Sequence, residues 1–396
     1  MNSRVIQTRR VHYFSGFDPR GASYYHRLCE EELMKPQVQG GFLTLGRRQR
    51  TGKLFSQWTV KWSADDSSNT NDVQTEHIFM SWDDIIRENW SRNPLVLIKE
   101  FFDAYWCILF KVKLSRVKQI FVGVFHTGVL PGAYLLISLL AGVLAGLLFY
   151  FLGTTLLRRD LLIFLQLASF LLAVFVVERA WRYGNHRGVV WLLRIFTYVV
   201  RMGRNGIPRS EQRTREWVSL IIQRQQAVPV EEVLLVGHSI GTLMMVDVVD
   251  ALLQDPRWKA LQNGRPTKVM TLGQCYPFIA MVPDAQAELF RGALKRMSFS
   301  PNLLWCDVTA KIDPLCFFQA HPLVKTGIPH ESALMPILHS AGFFRMYTAT
   351  TWAKIRRNKL EAHFLYLRTP ELPGNFNLND ILYGPRPFEE HVNNLV

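Results

Sequence analysis

The distribution of hydrophobic and polar positions divides the chain into strands, helices and one long apolar block. Apolar and polar residues alternate in 42–45 and 57–62, and this period of two predicts antiparallel strands joined as a hairpin. Apolar runs at 233–236 and 303–309 predict strands that are buried on both faces. Segments with helical periodicity lie between such strands. We therefore predict an α/β fold, with a mostly parallel sheet and helices on both faces.

The apolar block contains two uncharged runs. Residues 129–157 carry no charge, and after Arg158-Arg159-Asp160 the run 161–177 is again uncharged. A helix needs about 20 apolar residues to cross a bilayer, and about 17 is the minimum. Since three charged residues are not stable in hydrocarbon, we predict a hairpin of two transmembrane helices, at about 129–157 and 161–178, that crosses the membrane and returns.

The net charge of +14 indicates an anionic partner. Lys and Arg residues are concentrated on both sides of the apolar block, in 111–118 and 179–194, whereas the turn between the two runs holds only Arg158 and Arg159. The positive-inside rule then predicts that both ends of the hairpin lie on the cytoplasmic side of a lipid bilayer. Zinc-finger spacings, glycine-rich phosphate loops and RNA-binding aromatic motifs do not occur, so no nucleic-acid partner is predicted.

Two segments of the block each have two interpretations. Gly142 and Gly146 are spaced to seat a neighbouring helix, either the second span or another subunit of a homo-oligomer. Glycine is also frequent in membrane helices without this role. The segment 189–200 is too short to span a bilayer, and it fits either a helix in the membrane interface or a buried helix of the soluble domain.

The motif Gly237-His238-Ser239-Ile240-Gly241 follows a predicted buried strand and precedes a helical segment. A serine on so sharp a turn has strained backbone, and side chains two residues before and after it would collide with neighbouring chain. The glycines at 237 and 241 remove both collisions. The turn exposes the hydroxyl and directs the Ile240 N–H into the same space, which provides a nucleophile and one oxyanion donor. The alternative is a glycine-rich turn that only closes a strand–helix unit.

In this setting the motif resembles the nucleophile elbow of the α/β-hydrolase superfamily, in its lipase- and esterase-like branch. The resemblance implies a second oxyanion N–H from the loop after an early strand, which falls at Phe17, after the predicted strand 11–17. The hydrolase domain would comprise 1–100 and 203–370, with a membrane insertion at 101–202 and a polar C-terminal tail at 371–396. The family has two further strands before this early strand. Here the sheet edge must differ, and we expect the following segment to complete it.

A serine nucleophile needs a base, and the base needs an acid that orients it. The resemblance implies the chain order Ser, acid, His. Asp313 lies in a loop a few residues after the strand 303–309 and is the predicted acid; Asp307 and Asp284 are the alternatives. His363, near the end of the folded region, is the predicted base, followed by His339 and His330.

These residues predict a membrane-anchored serine hydrolase that cleaves an ester or thioester, with a lipid-derived acyl substrate, through a Ser239-His363-Asp313 triad and an acyl-enzyme. The alternative is a non-catalytic membrane scaffold or complex subunit with the same fold. No metal or organic cofactor is predicted. The five cysteines are scattered without metal-ligand spacing, which predicts buried, reduced thiols.

Overall fold

The computed structural model describes residues 5–37, 40–64, 72–91, 93–156 and 158–395. Its strands are β1 (Thr8–Phe14), β2 (Phe42–Leu45), β3 (Gln49–Thr51), β4 (Phe55–Ser63), β5 (Val73–Met80), β6 (Glu232–His238), β7 (Thr267–Leu272), β8 (Leu303–Thr309) and β9 (Ile337–Ser340). The helices are α1 (Ala22–Leu33), α2 (Asp83–Glu88), α3 (Pro94–Trp106), α4 (Leu114–Ile120), α5 (Val122–Leu156), α6 (Leu162–His186), α7 (Val189–Asn205), α8 (Ser210–Ala227), α9 (Gly241–Gln254), α10 (Pro256–Gln262), α11 (Tyr276–Ala280), α12 (Ala285–Ser298), α13 (Ala349–Arg357), α14 (Lys359–Phe364), α15 (Leu378–Tyr383) and α16 (Phe388–Leu395). Shorter helical turns cover Cys107–Val112, Arg159–Leu161, Phe343–Arg345 and Leu365–Leu367.

Among the described residues, nine strands form one sheet in the order β2-β4-β5-β1-β6-β7-β8-β9, and β3 pairs with β4 outside this order. The run from β5 to β9 is parallel. β4 pairs antiparallel with β2, β3 and β5. The prediction of a mostly parallel α/β sheet is therefore confirmed, as is the antiparallel pairing of 42–45 with 57–62. β5 and β4 follow β1 along the chain and extend the sheet on one side of it.

Apolar side chains cover the sheet on both faces. Alternate residues of β6 point to opposite sides, so that Val233 and Leu235 lie in one core while Leu234 and Val236 lie in the other. Helices α7, α8, α9 and α12 pack in the first core, and α1, α13, α14, α15 and α16 in the second. The sheet is buried from both sides, and the carboxyl ends of its parallel strands form the edge where the candidate site lies.

The segment 371–396, which the sequence predicts to be a polar tail, contributes to the second core. It carries α15 and α16, and its buried side chains include Phe376, Ile381 and Phe388. Two polar contacts also hold it against the sheet. Arg9 Nη1 donates to the Gly384 carbonyl at 2.8 Å, and Thr75 Oγ1 donates to the Leu382 carbonyl at 3.1 Å. The prediction of a tail was wrong because polar residues outnumber apolar ones in this segment. Most of its large apolar side chains are nevertheless buried.

Helices α5 and α6 are long and apolar enough to cross a membrane, and most of their apolar side chains are exposed. They pack against each other through glycines. A Cβ atom at Gly142 would lie 2.8 Å from the Ala173 carbonyl oxygen, and one at Gly146 would lie 2.9 Å from that of Ser169. The Gly142 and Gly146 pair therefore seats the second helix of the same hairpin. Both helices extend beyond the predicted spans at the end that meets the sheet domain, and Leu157, the last residue of the first predicted span, lies outside the described residues.

Helix α7 corresponds to the ambiguous segment 189–200. Val190, Leu193, Phe196 and Val199 are buried, and the helix packs against the sheet domain. The structure thus favours the interpretation of a buried helix over one in the membrane interface.

Candidate active site

Ser239 lies on the turn between β6 and α9. Its φ of 55° is in the left-handed region, which is uncommon for a residue with a side chain and concentrates at functional sites. The Ser239 N–H donates to the Leu272 carbonyl at 2.9 Å, which fixes the turn above the end of β7. Ser239 is 8% exposed. The turn therefore holds the hydroxyl in a strained and almost enclosed position.

Three glycines allow this turn to approach its neighbours. A Cβ atom at Gly241 would lie 2.2 Å from the Phe14 carbonyl oxygen, and one at Gly237 would lie 3.0 Å from the Cα atom of Thr242. Across the turn, a Cβ atom at Gly16 would lie 3.1 Å from the Ser239 Cβ atom. The backbone after β1 thus touches the serine turn at Gly16, the residue that precedes Phe17.

We expect Gly241→Ala to destabilise the folded protein, because the added methyl group meets the backbone oxygens of Phe14 and Ser15, which cannot rotate away. Overpacking of this kind costs about 3 kcal/mol, which should lower the melting temperature of the detergent-solubilised protein by about 4 °C for a chain of 396 residues. Gly292→Ala is the matched control, because its Cβ atom would meet only the flexible end of Arg296 in helix α12. Equal melting temperatures for the two variants would contradict this account of the turn.

Asp313 and His363 form a buried pair. The His363 Nδ1 atom lies 2.9 Å from Asp313 Oδ2, and the two side chains are 1% and 0% exposed. The Tyr366 hydroxyl donates to the same carboxylate oxygen at 3.1 Å, and the Leu315 N–H donates to Oδ1 at 2.9 Å. Burial alone would raise the pKa of Asp313, but the charge of His363 and these hydrogen bonds outweigh burial and hold that pKa below its usual range. The aspartate is therefore ionised at neutral pH.

The second ring nitrogen of His363 has no partner in the described part of the chain. Nε2 is buried and makes no hydrogen bond, either to Ser239 or to another group. The His363 ring lies 4.9 Å from the ring of His238, and His238 Nε2 is 3.0 Å from the His363 carbonyl oxygen. Since His238 directly precedes Ser239, the three predicted triad residues lie in one cluster. The cluster contains the acid–base hydrogen bond but not the hydrogen bond from base to serine.

His238 is a structural neighbour of this cluster. Burial and the charge of His363 lower the pKa of His238 to about 3. A group with so low a pKa is neutral at physiological pH and a weak base, so His238 does not compete with His363 for that role.

The alternative acids and bases have other partners. Asp307 accepts hydrogen bonds from Thr271 Oγ1 at 2.6 Å and from Gln274 Nε2 at 3.2 Å. Asp284 pairs with Lys111 at 3.3 Å. The His330 ring stacks on that of His321 with 4.6 Å between centroids, and His339 lies in β9 opposite Val308. The structure therefore places the predicted acid, Asp313, in a hydrogen bond with the predicted base, His363.

The two predicted oxyanion donors are free to bind a ligand. Within the described ranges, neither the Ile240 N–H nor the Phe17 N–H donates a hydrogen bond to another group. The side chain of Phe17 is fixed by Tyr198 and Trp90, whose ring centroids lie 4.7 Å and 5.5 Å from its own. The Phe17 carbonyl accepts from Trp191 Nε1 of helix α7 at 3.3 Å. Helix α7 thus holds the loop after β1 against the serine turn.

A narrow apolar cavity of about 30 Å³ opens at Ser239. Its walls are apolar side chains from several elements, and helix α7 supplies the largest share. The residues that line it are Val124, Ile195, Phe196, Val199, Ser239, Ile240, Cys275, Phe278, Leu315 and Phe317. Val124 belongs to the first turn of α5, so that the base of the long hairpin forms part of the wall. Ser239 therefore lies at a small cavity with apolar walls.

No family model, curated protein or solved structure matches this chain. Any statement about its function therefore depends on the site itself.

No group of three or more His, Cys, Asp or Glu side chains that could hold a metal ion occurs among the described residues. All five cysteines are free thiols. Burial raises the pKa of Cys275 and of Cys306 to about 12, which makes both thiols unreactive.

Two contacts of this site were not predicted from the sequence. Tyr366, which donates to Asp313, lies three residues after His363, so one helical turn brings both side chains to the same carboxylate. Gly273 has a φ of 58°, and a Cβ atom there would lie 3.0 Å from Asp313 Oδ2. The spacing of His363 and Tyr366 was a usable signal. The requirement for glycine at position 273 depends on a residue forty positions later and leaves no local pattern.

Proposed function

We propose that this protein is a membrane-anchored serine hydrolase of the α/β-hydrolase type, which cleaves an ester or thioester bond in a lipid-derived acyl substrate. The observation that carries the proposal is the buried Asp313–His363 pair next to the strained Ser239, on a strand–turn–helix unit and in the order Ser, Asp, His. The sheet with helices on both faces agrees with such a fold.

In the proposed first step, Ser239 Oγ attacks the carbonyl carbon of the substrate, and its proton passes to His363 Nε2. The free Nε2 atom is the one available for this transfer, because Nδ1 is bound to Asp313. Hydrogen bonds from base to nucleophile are often long without substrate and shorten in the reacting complex. The ionised Asp313 keeps the proton on Nδ1 and stabilises the imidazolium as it forms.

The negative charge that develops on the carbonyl oxygen would be stabilised by the N–H groups of Ile240 and Phe17, which have no other acceptor in the described part of the molecule. His363 then transfers its proton to the leaving oxygen or sulfur, and the acyl group remains on Ser239. In the second step His363 takes a proton from water, and the resulting hydroxide attacks the acyl-enzyme. The bond between the acyl carbon and Ser239 Oγ then breaks, His363 returns the proton to Oγ, and the carboxylic acid is released. The apolar side chains that line the small cavity at Ser239 would contact the carbons nearest the reacting carbonyl group.

The membrane hairpin supports a lipid-derived substrate. Val124 of α5 and the buried face of α7 line the cavity at Ser239, so a hairpin that spans the bilayer would hold the serine close to the membrane surface. The excess of Lys and Arg on both flanks of the hairpin favours the cytoplasmic side for this domain.

Fluorophosphonate labelling tests the proposal. Membranes that contain the full-length protein would be treated with the probe, and the modified peptide would be identified by mass spectrometry. We expect one phosphonylated residue, Ser239, and loss of labelling after heat denaturation. Ser298, which is also buried, serves as an internal control and should stay unmodified. Absence of a modified Ser239 in folded, membrane-inserted protein would overturn the hydrolase proposal and favour a non-catalytic scaffold.

A further inference from the structure

A second cavity, much larger than the one at Ser239, lies between the base of the hairpin, the loop that carries Asp313 and the start of helix α14, which carries His363. It encloses about 830 Å³, a volume typical of a ligand site. Four segments that are distant in the chain form its walls: the start of α5, the turn between α6 and α7, the loop around 311–315, and the junction of α13 and α14. We refer to it as the basal cleft.

The basal cleft is strongly cationic. Its lining includes Arg187, Lys311, Arg357 and Lys359, all of them exposed, together with His126 and His186. The lining contains no Asp or Glu. None of the four Lys and Arg side chains pairs with a carboxylate within the described residues, whereas Arg213, Arg291 and Arg368 elsewhere in the domain do. The positive charge of the cleft is therefore not compensated within the described part of the chain, and an anion would compensate it.

The position of the cleft indicates where this anion comes from. Helix α5 begins at Val122 and α6 ends at His186, so both helices of the hairpin leave the sheet domain at the cleft. If the hairpin spans a bilayer, lipid headgroups lie at this level. The cleft also adjoins the serine, because Leu315 lines both the basal cleft and the cavity at Ser239. A molecule with its headgroup in the cleft could place an acyl ester near the hydroxyl.

We infer that the basal cleft binds the phosphate of an anionic glycerophospholipid, and that this phosphate positions the lipid's acyl ester at Ser239. The inference rests on the proposed function and specifies its substrate class. Arg and Lys side chains bind phosphate oxygens through charge-assisted hydrogen bonds. The same four charges repel the choline or ethanolamine cation of a zwitterionic headgroup, so the cleft discriminates by charge in both directions.

Lipid binding to the inactive Ser239→Ala protein measures this selectivity without turnover. The full-length protein in neutral detergent would be titrated with fluorescent phosphatidate and, separately, with phosphatidylcholine that carries the same acyl chains. We expect tighter binding of phosphatidate. Adding Arg187→Gln and Arg357→Gln should weaken phosphatidate binding by about tenfold or more, because hydrogen bonds to charged groups contribute at least this factor. The same two substitutions should change phosphatidylcholine binding by less than about twofold. Lys311→Gln with Lys359→Gln is an independent second pair.

The matched control is Arg158→Gln with Arg159→Gln, which removes two positive charges at the opposite end of the hairpin. This control should bind both lipids as the parent does. Equal losses for the two lipids, or equal losses in the control and the cleft variants, would overturn the inference. Inorganic phosphate and glycerol phosphate would be tested as competitors of fluorescent phosphatidate. If either competes as strongly as unlabelled phosphatidate, the cleft binds a soluble anion and the lipid assignment is wrong.

The active enzyme separates this inference from the proposed function. These measurements use proteins that keep Ser239. Relative to the wild type, the ratio of kcat/KM for phosphatidate to kcat/KM for phosphatidylcholine should fall in the cleft variants and stay constant in the control. An unchanged ratio, with Ser239 still reactive toward fluorophosphonate, would overturn the headgroup assignment alone. An unreactive Ser239 would overturn the proposed function, and the binding titrations would still decide whether the cleft selects anionic lipid.

Discussion

Ser239→Ala is expected to lower kcat for a short-chain ester by about 10⁴-fold or more, which is the largest effect we predict. The substitution removes the oxygen that would form the proposed acyl-enzyme, and loss of the nucleophile in serine hydrolases costs up to about 10⁶-fold. The Cβ atom and the turn remain, so the fold should be unaffected. Initial rates of p-nitrophenyl butyrate hydrolysis by purified protein in detergent measure the effect.

Ser219→Ala is the matched control for this measurement. Ser219 lies on the outer part of helix α8, and its hydroxyl makes no hydrogen bond within the described residues. Its rate should equal that of the wild type. A Ser239→Ala protein that keeps more than about a tenth of the wild-type rate would contradict the proposed mechanism, because a solvent-borne nucleophile would then have to account for the activity.

Asp313→Asn is expected to lower kcat by about 10⁴-fold, because an amide no longer holds the proton on Nδ1 of His363. The Leu315 N–H can still donate to the remaining side-chain oxygen, and the Tyr366 hydroxyl can accept from the NH₂ group that replaces Oδ2, so the loop should keep its shape. His363→Ala should cost at least as much. Combining His363→Ala with Ser239→Ala should add little further loss, because the residues of a triad act as a unit. The same ester assay measures all three variants.

Asp307→Asn distinguishes the predicted acid from its nearest alternative. Asp307 is as deeply buried as Asp313, and its partners are Thr271 and Gln274. Its replacement should therefore change kcat by less than about tenfold. A loss from Asp307→Asn as large as that from Asp313→Asn would reverse the assignment of the acid.

Local patterns in the sequence were sufficient to predict most of the strands, the two long apolar helices and the serine turn, but not β3 and β9. β6 and β8 are recognisable as apolar runs, because burial on both faces of a sheet acts on every residue of the strand, and α5 and α6 are recognisable by the absence of charge. The pairing of Asp313 with His363 was accessible in a different way. It was predicted from the resemblance of the serine turn to that of α/β-hydrolases, which implies the chain order Ser, acid, His and an acid in a loop after a strand.

Features that depend on distant contacts could not be predicted. The strand order β5-β1-β6 joins segments separated by the entire hairpin, and no local pattern encodes it. The segment 371–396 was predicted to be a polar tail because its few large apolar residues are separated by polar ones. The basal cleft combines four segments, such as 186–188 and 357–360. Each segment has only a few cationic residues, and they form a cluster only in the folded structure.

The position of the hairpin within the sheet has a consequence for biosynthesis. β1 pairs with β5 on one side and with β6 on the other, yet about 150 residues separate the end of β5 from the start of β6. At about 5–20 residues per second, a ribosome needs roughly 10–30 s to produce this stretch. Throughout that interval one edge of β1 has no partner strand, and the central sheet can close only after both hairpin helices have left the ribosome. The candidate site can therefore be completed only after both helices of the hairpin have been synthesised.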